Sequence, residues 1–153
     1  MARVTHENTK VYWLESCANI NAPTVAEINA GTDLTAQIPV DGVALNATKN
    51  NAAQAMLGDA FVAEKVGTWG VGITLTFTRD DTSDTARALF VYRADGFLVL
   101  SRFGAHAAGK DLEVYPAEGH EPADLATAEN EFSKYEVQLA VTATPALRAV
   151  EAA

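Results

Sequence analysis

Two stretches of this chain alternate apolar and polar residues with a period of two, which is typical of β-strands that bury one face. Residues 71–78 alternate aliphatic or aromatic side chains with threonines, and residues 135–142 repeat the pattern with mixed polar side chains. Both stretches therefore predict half-buried strands with an uncharged or weakly charged outer face. The polar positions of the two stretches include Thr74, Thr76, Thr78, Glu136 and Gln138.

Residues 32–38 show the same alternation, with Thr35 and Gln37 on the polar side. A turn pair, Asp41-Gly42, follows, and a short apolar run comes after it. Because Asp-Gly is a favoured turn sequence between strands, the pattern predicts a hairpin over about 33–47.

Shorter apolar runs predict three more strands, and the segment between a proline and a glycine predicts one or two helical turns. The strands cover 11–14, 97–103 and 112–115, the last closed by Pro116. The helical turns lie between Pro23 and Gly31, since proline favours the start of a helix and glycine its end.

The longest predicted helix covers residues 84–93. It follows a charged turn, residues 79–84, whose last residues are good N-caps. Helical spacing places Ala86, Leu89 and Phe90 on one side, so we expect this face to pack on the sheet.

Residues 48–60 show no clean alternation and mix asparagine, alanine and glycine, which predicts a long loop or a fragment of helix. The glycine-rich residues 67–72 that follow predict a bulge or sharp bend and not a phosphate loop, because the lysine of such loops is missing.

Together these elements predict a mainly β (α+β) fold, either a β-sandwich or a partly open β-barrel, with one flanking α-helix. With 153 residues, the chain is expected to form one domain over 1–153. A loose leader over about 1–10 and an alanine-rich tail over about 146–153 are expected at its ends.

Charge excludes several classes of partner. Aspartate and glutamate number 20 against 11 lysines and arginines, for a formal net charge of −9. A protein of this sign has little with which to hold phosphates or an anionic membrane surface. The sequence also has neither a secretory signal nor an apolar run of roughly 20 residues, so we expect a protein of the cytosol.

Residues capable of catalysis or metal binding do not form a recognisable motif. The histidines lack a His-Glu-x-x-His spacing, the cysteine is alone, and the aspartates lack the spacing of a calcium loop. We therefore expect no enzyme activity, no cofactor and no metal. The residues considered are His6, His106, His120, Cys17, Ser101, Asp80, Asp81 and Asp84.

Several segments, taken in order, resemble one known family. They are residues 23–35, 70–79, 84–89, 95–104 and 112–116, with the alternating strand that closes before Pro145. In this order the chain resembles the major tail tube proteins of bacteriophages with long, non-contractile tails, particularly the short-chain type from phages of actinobacteria. Residues 48–60 and the tail after Pro145 do not contribute to the resemblance.

The resemblance implies a structural virion protein, synthesised in the host cytoplasm, that assembles into hexameric rings stacked as a hollow tail tube. Double-stranded DNA passes through such a tube without adhering, the sheets of neighbouring subunits join into one inner barrel, and a long loop reaches the next ring. Tail tip, tape measure and tail terminator proteins are the implied partners.

Two sets of residues are then expected to carry the function. The predicted hairpin around 33–47 and the strands 71–79 and 134–142 would line the channel, while the loop 48–60 would contact the next ring. The lumen-facing residues are Thr35, Gln37, Thr74, Thr76, Thr78, Glu136 and Gln138. The inter-ring residues are Thr48, Lys49, Asn50, Asn51, Gln54, Met56 and Asp59.

Other classes of protein share part of this pattern. A small ligand-binding β-barrel would also have short alternating strands, although it needs an apolar cavity. A head-tail connector or a capsid decoration protein would share the small β fold. An enzyme has the least support, because nothing in the sequence arranges a base, an acid and an oxyanion donor.

Overall fold

Nine β-strands and two short α-helices form the secondary structure of the computed structural model, which describes residues 3–82 and 84–153. The strands are β1 (Lys10–Leu14), β2 (Thr32–Asp33), β3 (Val43–Gln54), β4 (Ala63–Thr78), β5 (Ala94–Ser101), β6 (Asp111–Gly119), β7 (Ala123–Asp124), β8 (Lys134–Val141) and β9 (Ala146–Val150). The helices are α1 (Val25–Ala30) and α2 (Thr85–Leu89), with 3₁₀ turns at His6–Asn8 and Thr35–Gln37. Met1 and Ala2 of the leader and Ser83 of the charged turn lie outside the described residues.

All named strands pair antiparallel in the order β2-β1-β5-β6-β8-β4-β3. One edge of β6 is shared, because residues 117–119 pair with β8 whereas residues 111–114 pair with β9. The sheet therefore divides along β6 into two parts. The first leaf contains β2, β1, β5, β6 and β9, and the second leaf contains β6, β8, β4 and β3 with β7 beside β8.

Pro116 does not end its strand, contrary to the sequence-based expectation, because β6 continues to Gly119. The Pro116 carbonyl accepts a hydrogen bond from Thr142 N–H at 3.0 Å, so this edge of Pro116 faces the gap between β8 and β9. Proline is tolerated there because a missing N–H interrupts no regular ladder.

The main core lies between the two leaves. It takes side chains from β1 and β5 on one side and from β4 and β8 on the other, so the sheet curls until its leaves face each other. This arrangement confirms the predicted sandwich or partly open barrel. The largest buried members are Trp13, Phe77, Phe90 and Tyr135.

A second core covers the outer face of the first leaf. Ile28 of α1 and Ala146 and Ala149 of β9 pack there against strand residues such as Val99 and Val114. The alanine-rich segment is therefore not a tail. It forms β9, which pairs with β6, and its buried alanines pack in the second core. α1 lies where the sequence predicts helical turns.

The helix α2 is shorter than the expected residues 84–93, ending at Leu89. Ala86 and Phe90 are fully buried, and Leu89 packs against the same core. The Phe90 ring contacts Trp13 with a centroid distance of 4.9 Å, and Phe90 itself has extended backbone angles. Tertiary packing of this ring thus takes precedence over continuing the helix.

Among the described residues, the structure contains no helix with the length and apolar character of a membrane span.

Residues 32–38 form a two-residue strand and a 3₁₀ turn in place of the predicted half-buried strand. The Asp33 carboxylate accepts a hydrogen bond from Thr35 N–H at 2.9 Å, which gives the backbone a local partner in place of a strand ladder. The predicted hairpin over 33–47 is consequently wrong, since β3 pairs with β4.

Candidate assembly surfaces

The outer face of the second leaf is polar and open. Cross-strand partners on it include Thr74 with Gln138 and Thr76 with Glu136, while the alternate residues of the same strands are buried in the main core. We call this surface the bare face. Its paired residues are Ala44, Thr74, Thr76, Thr78, Lys134, Glu136, Gln138 and Ala140, all exposed or half buried.

The bare face carries little charge, since Lys134 and Glu136 have opposite signs and Glu118, the β6 partner of Ala140, pairs with Arg93 at 3.9 Å. Threonine hydroxyls and a glutamine amide form most of its polar surface. Such a surface offers neither the cations that hold phosphates nor a cluster of acids that repels them strongly.

Five of the seven residues expected to face a lumen share the bare face, and two do not join it. Thr35 Oγ1 accepts a hydrogen bond from Val11 N–H at 3.0 Å. Gln37 Oε1 accepts one from Ala86 N–H at 3.2 Å, which ties the 3₁₀ turn to the start of α2. Both side chains therefore hold the 3₁₀ turn to β1 and α2 and are not part of the bare face.

A long two-stranded hairpin extends beyond the rest of the sheet. β8 pairs with β4 over residues 72–78, so the outer parts of β3 and β4 have each other as their pairing strand. Residues 46–70, which we call the arm, are all exposed. The expected loop 48–60 is thus mostly strand, and the connecting loop is residues 55–62.

The end of the arm presents apolar side chains to solvent. Its turn is internally satisfied, because Asp59 Oδ2 accepts from Met56 N–H at 2.9 Å and Asp59 N–H donates to Met56 O at 3.0 Å. We call these four side chains the arm tip: Met56, Leu57, Phe61 and Val62, with exposures of 64%, 107%, 82% and 49%. A clustered apolar surface of this kind marks an interaction site.

A β-bulge interrupts the arm near its middle. Lys49 pairs with Trp69 and Asn51 with Val66, so Asn50 faces both Gly67 and Thr68. A Cβ at Gly67 would lie 2.7 Å from Asn50 O, which explains why glycine stands there. The bulge lies within the segment for which the sequence predicts one, and bulges bend and twist a hairpin.

The edge strand β3 offers a long open ladder. Within residues 3–82 and 84–153, β4 is the only strand that pairs with β3. Every second backbone N–H and C=O along its twelve residues therefore points away from β4. Exposed edges of this length are sites where another strand can add to the sheet.

A groove of about 540 Å³, with a partly apolar lining, opens at the root of the arm. It is named the root groove here, because Val43 and Leu45 at the start of β3 line one side. Val11 and Leu100 from the first leaf line the other side, with Val40 at 78% exposure in the loop before β3.

Acidic residues near α2 are engaged in ion pairs. Arg87 binds Asp124 through Nη1 at 2.7 Å, and Arg79 Nη1 binds the same carboxylate at 3.1 Å. The Arg87 hydrogen bond holds the pKa of Asp124 below its usual range. Burial, and then the hydrogen bond from its hydroxyl to Asp84 at 2.7 Å, raises the pKa of Tyr135. This network joins α2 and β7 to β8.

The histidine with the closest acidic partner is His106, whose Nδ1 lies 2.8 Å from Glu151 Oε1. The His106 ring meets Tyr12 edge-on at a centroid distance of 5.1 Å. This contact ties the turn after β5 to the end of the chain. In the described part of the chain, no group of three or more His, Cys, Asp or Glu side chains is placed to hold a metal ion.

Comparison with known proteins gives a family match and structural matches. A family model described as "Phage tail tube protein" matches residues 1–153. A chain from the structure titled "Cryo-EM structure of the anti-feeding prophage (AFP) baseplate, 6-fold symmetrised" shares the fold, with a TM-score of 0.60 and 11% sequence identity. The alignment covers 94% of this chain and 93% of that one. Among curated proteins, none matches the sequence.

The family match spans every element described above, from the leader to β9. The chain therefore belongs to the phage tail tube protein family, and it is a structural component of the virion tail and not an enzyme.

Proposed function

We propose that this protein assembles into hexameric rings that stack into a hollow tail tube, the conduit through which the phage genome is ejected. The observation that carries the proposal is the open edge of β3, whose first residues lie beside the bare face and whose outer residues belong to the arm. The structural neighbour belongs to a baseplate described as sixfold symmetrised, which supports a ring of six.

Joining of sheets around the ring follows from the β3 edge. When a strand of the neighbouring subunit adds to that edge, its unpaired backbone groups gain partners and the second leaves of six subunits continue into one inner barrel. Closure of the barrel leaves no unpaired strand edges, so a closed ring is favoured over an open row of subunits.

The bare face lines the channel in this arrangement. Hydroxyl and amide groups, in a protein of net charge −9, provide few cations with which DNA phosphates could pair. Double-stranded DNA then moves along the wall without being held.

The arm provides the contact between rings. A two-stranded hairpin without further support is only marginally stable in water, so its exposed strands need a surface to lie on. The inter-ring set named from the sequence lies on it: Thr48, Lys49, Asn50, Asn51, Gln54, Met56 and Asp59.

The sequence resemblance supports finer assignments. These are a long, non-contractile tail of the actinobacteriophage type, synthesis in the host cytoplasm, and tail tip, tape measure and tail terminator proteins as partners.

Electron microscopy of negatively stained protein, concentrated stepwise, tests self-assembly. We expect rings or hollow tubes with a channel wide enough for DNA at high concentration and small particles at low concentration. Uniform small particles at every concentration would contradict self-assembly. They would favour a small ligand-binding barrel, with the root groove of about 540 Å³ as its site.

A variant without the arm tests the inter-ring contact. Thr48 and Gly70 are cross-strand partners, so replacing residues 49–69 by Asn-Gly closes the hairpin there with a favoured turn. We expect a monomer that still unfolds cooperatively, with a circular dichroism signal reduced only by the lost strand residues of the arm, and that forms no tubes. Tubes of normal length and yield would refute the role of the arm.

A further inference from the structure

We propose that the arm tip of one subunit inserts into the root groove of a second copy of this chain. The inference rests on the proposed stacking of rings and names the receptor for the arm. It follows from an exposed apolar arm tip and a groove with partly apolar walls, which lie apart in one subunit.

The two surfaces complement each other in chemistry. The arm tip offers two aliphatic side chains, a methionine and a phenylalanine, all without a core to cover them. The root groove offers exposed Val40 and half-buried Ile38, Val43 and Leu45, above a buried floor of Val11 and Leu100. Joining them removes both surfaces from water, which is the main driving force of association.

Charge also matches at this contact. Asp59 is the charged residue within 55–62, and Arg102 is a cation of the groove lining. Arg102 Nε pairs with Glu113 Oε2 at 2.7 Å, and the guanidinium has further N–H donors with which to meet a second carboxylate. Glu7 is the acid of the lining, so Asp59 fits best on the Arg102 side.

An extended strand prevents the arm tip from reaching the groove of its own chain. Leu45 lines the groove, and the nine residues from it to Gln54 span roughly 30 Å at the rise of a β-strand. The arm tip and the root groove therefore stand at opposite ends of β3. A second copy displaced by about this length along the arm brings its groove to the tip.

Such a contact joins unlike surfaces, so it does not close on a pair but continues from copy to copy. The length of β3 then sets the repeat between rings at roughly 30 to 40 Å, counting the connecting loop beyond the strand.

The contact is small enough to depend on assembly. Four side chains cover only part of the roughly 800 Å² per partner that a stable pair needs. A single contact is therefore weak, whereas the several contacts between two rings act together. We therefore expect subunits to stay separate when dilute and to polymerise once rings form.

A matched pair of variants tests the arm tip. Phe61 and Phe132 are 82% and 80% exposed, and Phe132 lies in the loop before β8, outside the arm. We expect Phe61→Ala to raise the protein concentration needed for tubes about tenfold, the loss of one aromatic anchor, with an unchanged melting temperature. Phe132→Ala should behave as wild type. Equal behaviour of the two variants would overturn the proposal.

Cross-linking tests the groove as the receptor. In a Cys17→Ser background, Leu57→Cys with Val40→Cys places one thiol on the arm tip and one on the groove. Oxidation of tubes should give a ladder of linked oligomers on a non-reducing gel. The control, Leu57→Cys with Val91→Cys, moves the second thiol to an exposed residue outside the groove and should give no ladder.

The outcomes separate this inference from the proposed function. Wild-type protein that forms no tubes contradicts the proposed function. Tubes that form normally but show no ladder, or the same ladder in the control, contradict docking in the root groove alone.

Discussion

Glu27 organises the start of α1 through several hydrogen bonds at one carboxylate. Its oxygens accept from Thr24 N–H at 3.1 Å and from Ala18 N–H at 3.2 Å, and Thr24 Oγ1 accepts from Glu27 N–H at 3.2 Å. Thr24 and Glu27 form a capping box. Hydrogen bonds from Thr24 and then Ala18 lower the pKa of Glu27, whereas burial followed by the Glu27 charge raises the pKa of the Cys17 thiol.

We predict that Glu27→Gln lowers the free energy of unfolding by about 1 kcal/mol at neutral pH, because the amide can keep the capping-box bond but makes weaker hydrogen bonds to the two backbone N–H groups than the carboxylate does. Because the pKa of Glu27 is lowered on folding, its stabilisation is present above its ordinary value of 4.5 and is lost as the pH falls through the folded value. Urea unfolding at pH 7 and at pH 3 should show the difference between wild type and variant shrinking in acid. Glu15→Gln, at an exposed residue nearby, is the control. A difference independent of pH would contradict this role.

At the scale of elements, β9 shows how a strand can be built from alanine. Ala149 is fully buried against the second core, with Leu147 at 44% exposure and Arg148 exposed beside it. The strand pairs with β6 where β8 does not reach, and the 3.0 Å hydrogen bond from Val25 N–H to Ala152 O continues its contact to α1. The C-terminal segment thus connects β6 to α1.

We predict that Ala149→Leu destabilises the monomer by about 1–3 kcal/mol, since a well-packed site has no room for three more carbons. Thermal unfolding at low protein concentration measures this without interference from assembly. Leu147→Ala, which changes an exposed side chain of the same strand, should leave the melting temperature nearly unchanged. Equal effects at the two positions would show that β9 does not pack as described.

The elements differ in how much the sequence reveals of them. Strands that bury one face, such as β8 and the inner half of β4, were predicted by their alternation. The arm was not predicted, because neither of its faces is buried in the subunit. Its sequence therefore shows no alternation of apolar and polar residues. The 3₁₀ turn at Thr35–Gln37 mimics a strand pattern while its side chains bond to β1 and α2.

At the scale of the whole molecule, the two sides of the sandwich differ. The first leaf is covered on its outer face by α1, which packs on strands that include β9, whereas the bare face of the second leaf remains open and carries little charge. Under the proposed function, this asymmetry determines which side faces DNA.

We predict that Glu136→Lys with Gln138→Lys lets assembled tubes retain double-stranded DNA, because lysines along the channel release phosphate counterions. Co-sedimentation of short DNA fragments with tubes measures retention, which should fall steeply with salt. Glu15→Lys with Asn29→Lys makes the same charge change on the side of α1 and should retain less. Equal retention in the two variants would remove the bare face from the channel.

The sequence by itself determined the mainly β class, the strands with one buried face, the start of α1 and the bulge near Gly67, because each depends on local geometry or on one-sided burial. Only the tertiary structure decided the length of the arm, the end of α2 at Phe90 and the pairing of β9 with β6. It also decided which polar residues share the bare face and which, such as Thr35, bond within the fold. These features depend on partners distant in the chain, and a pattern along the sequence records that a residue is buried but not what covers it.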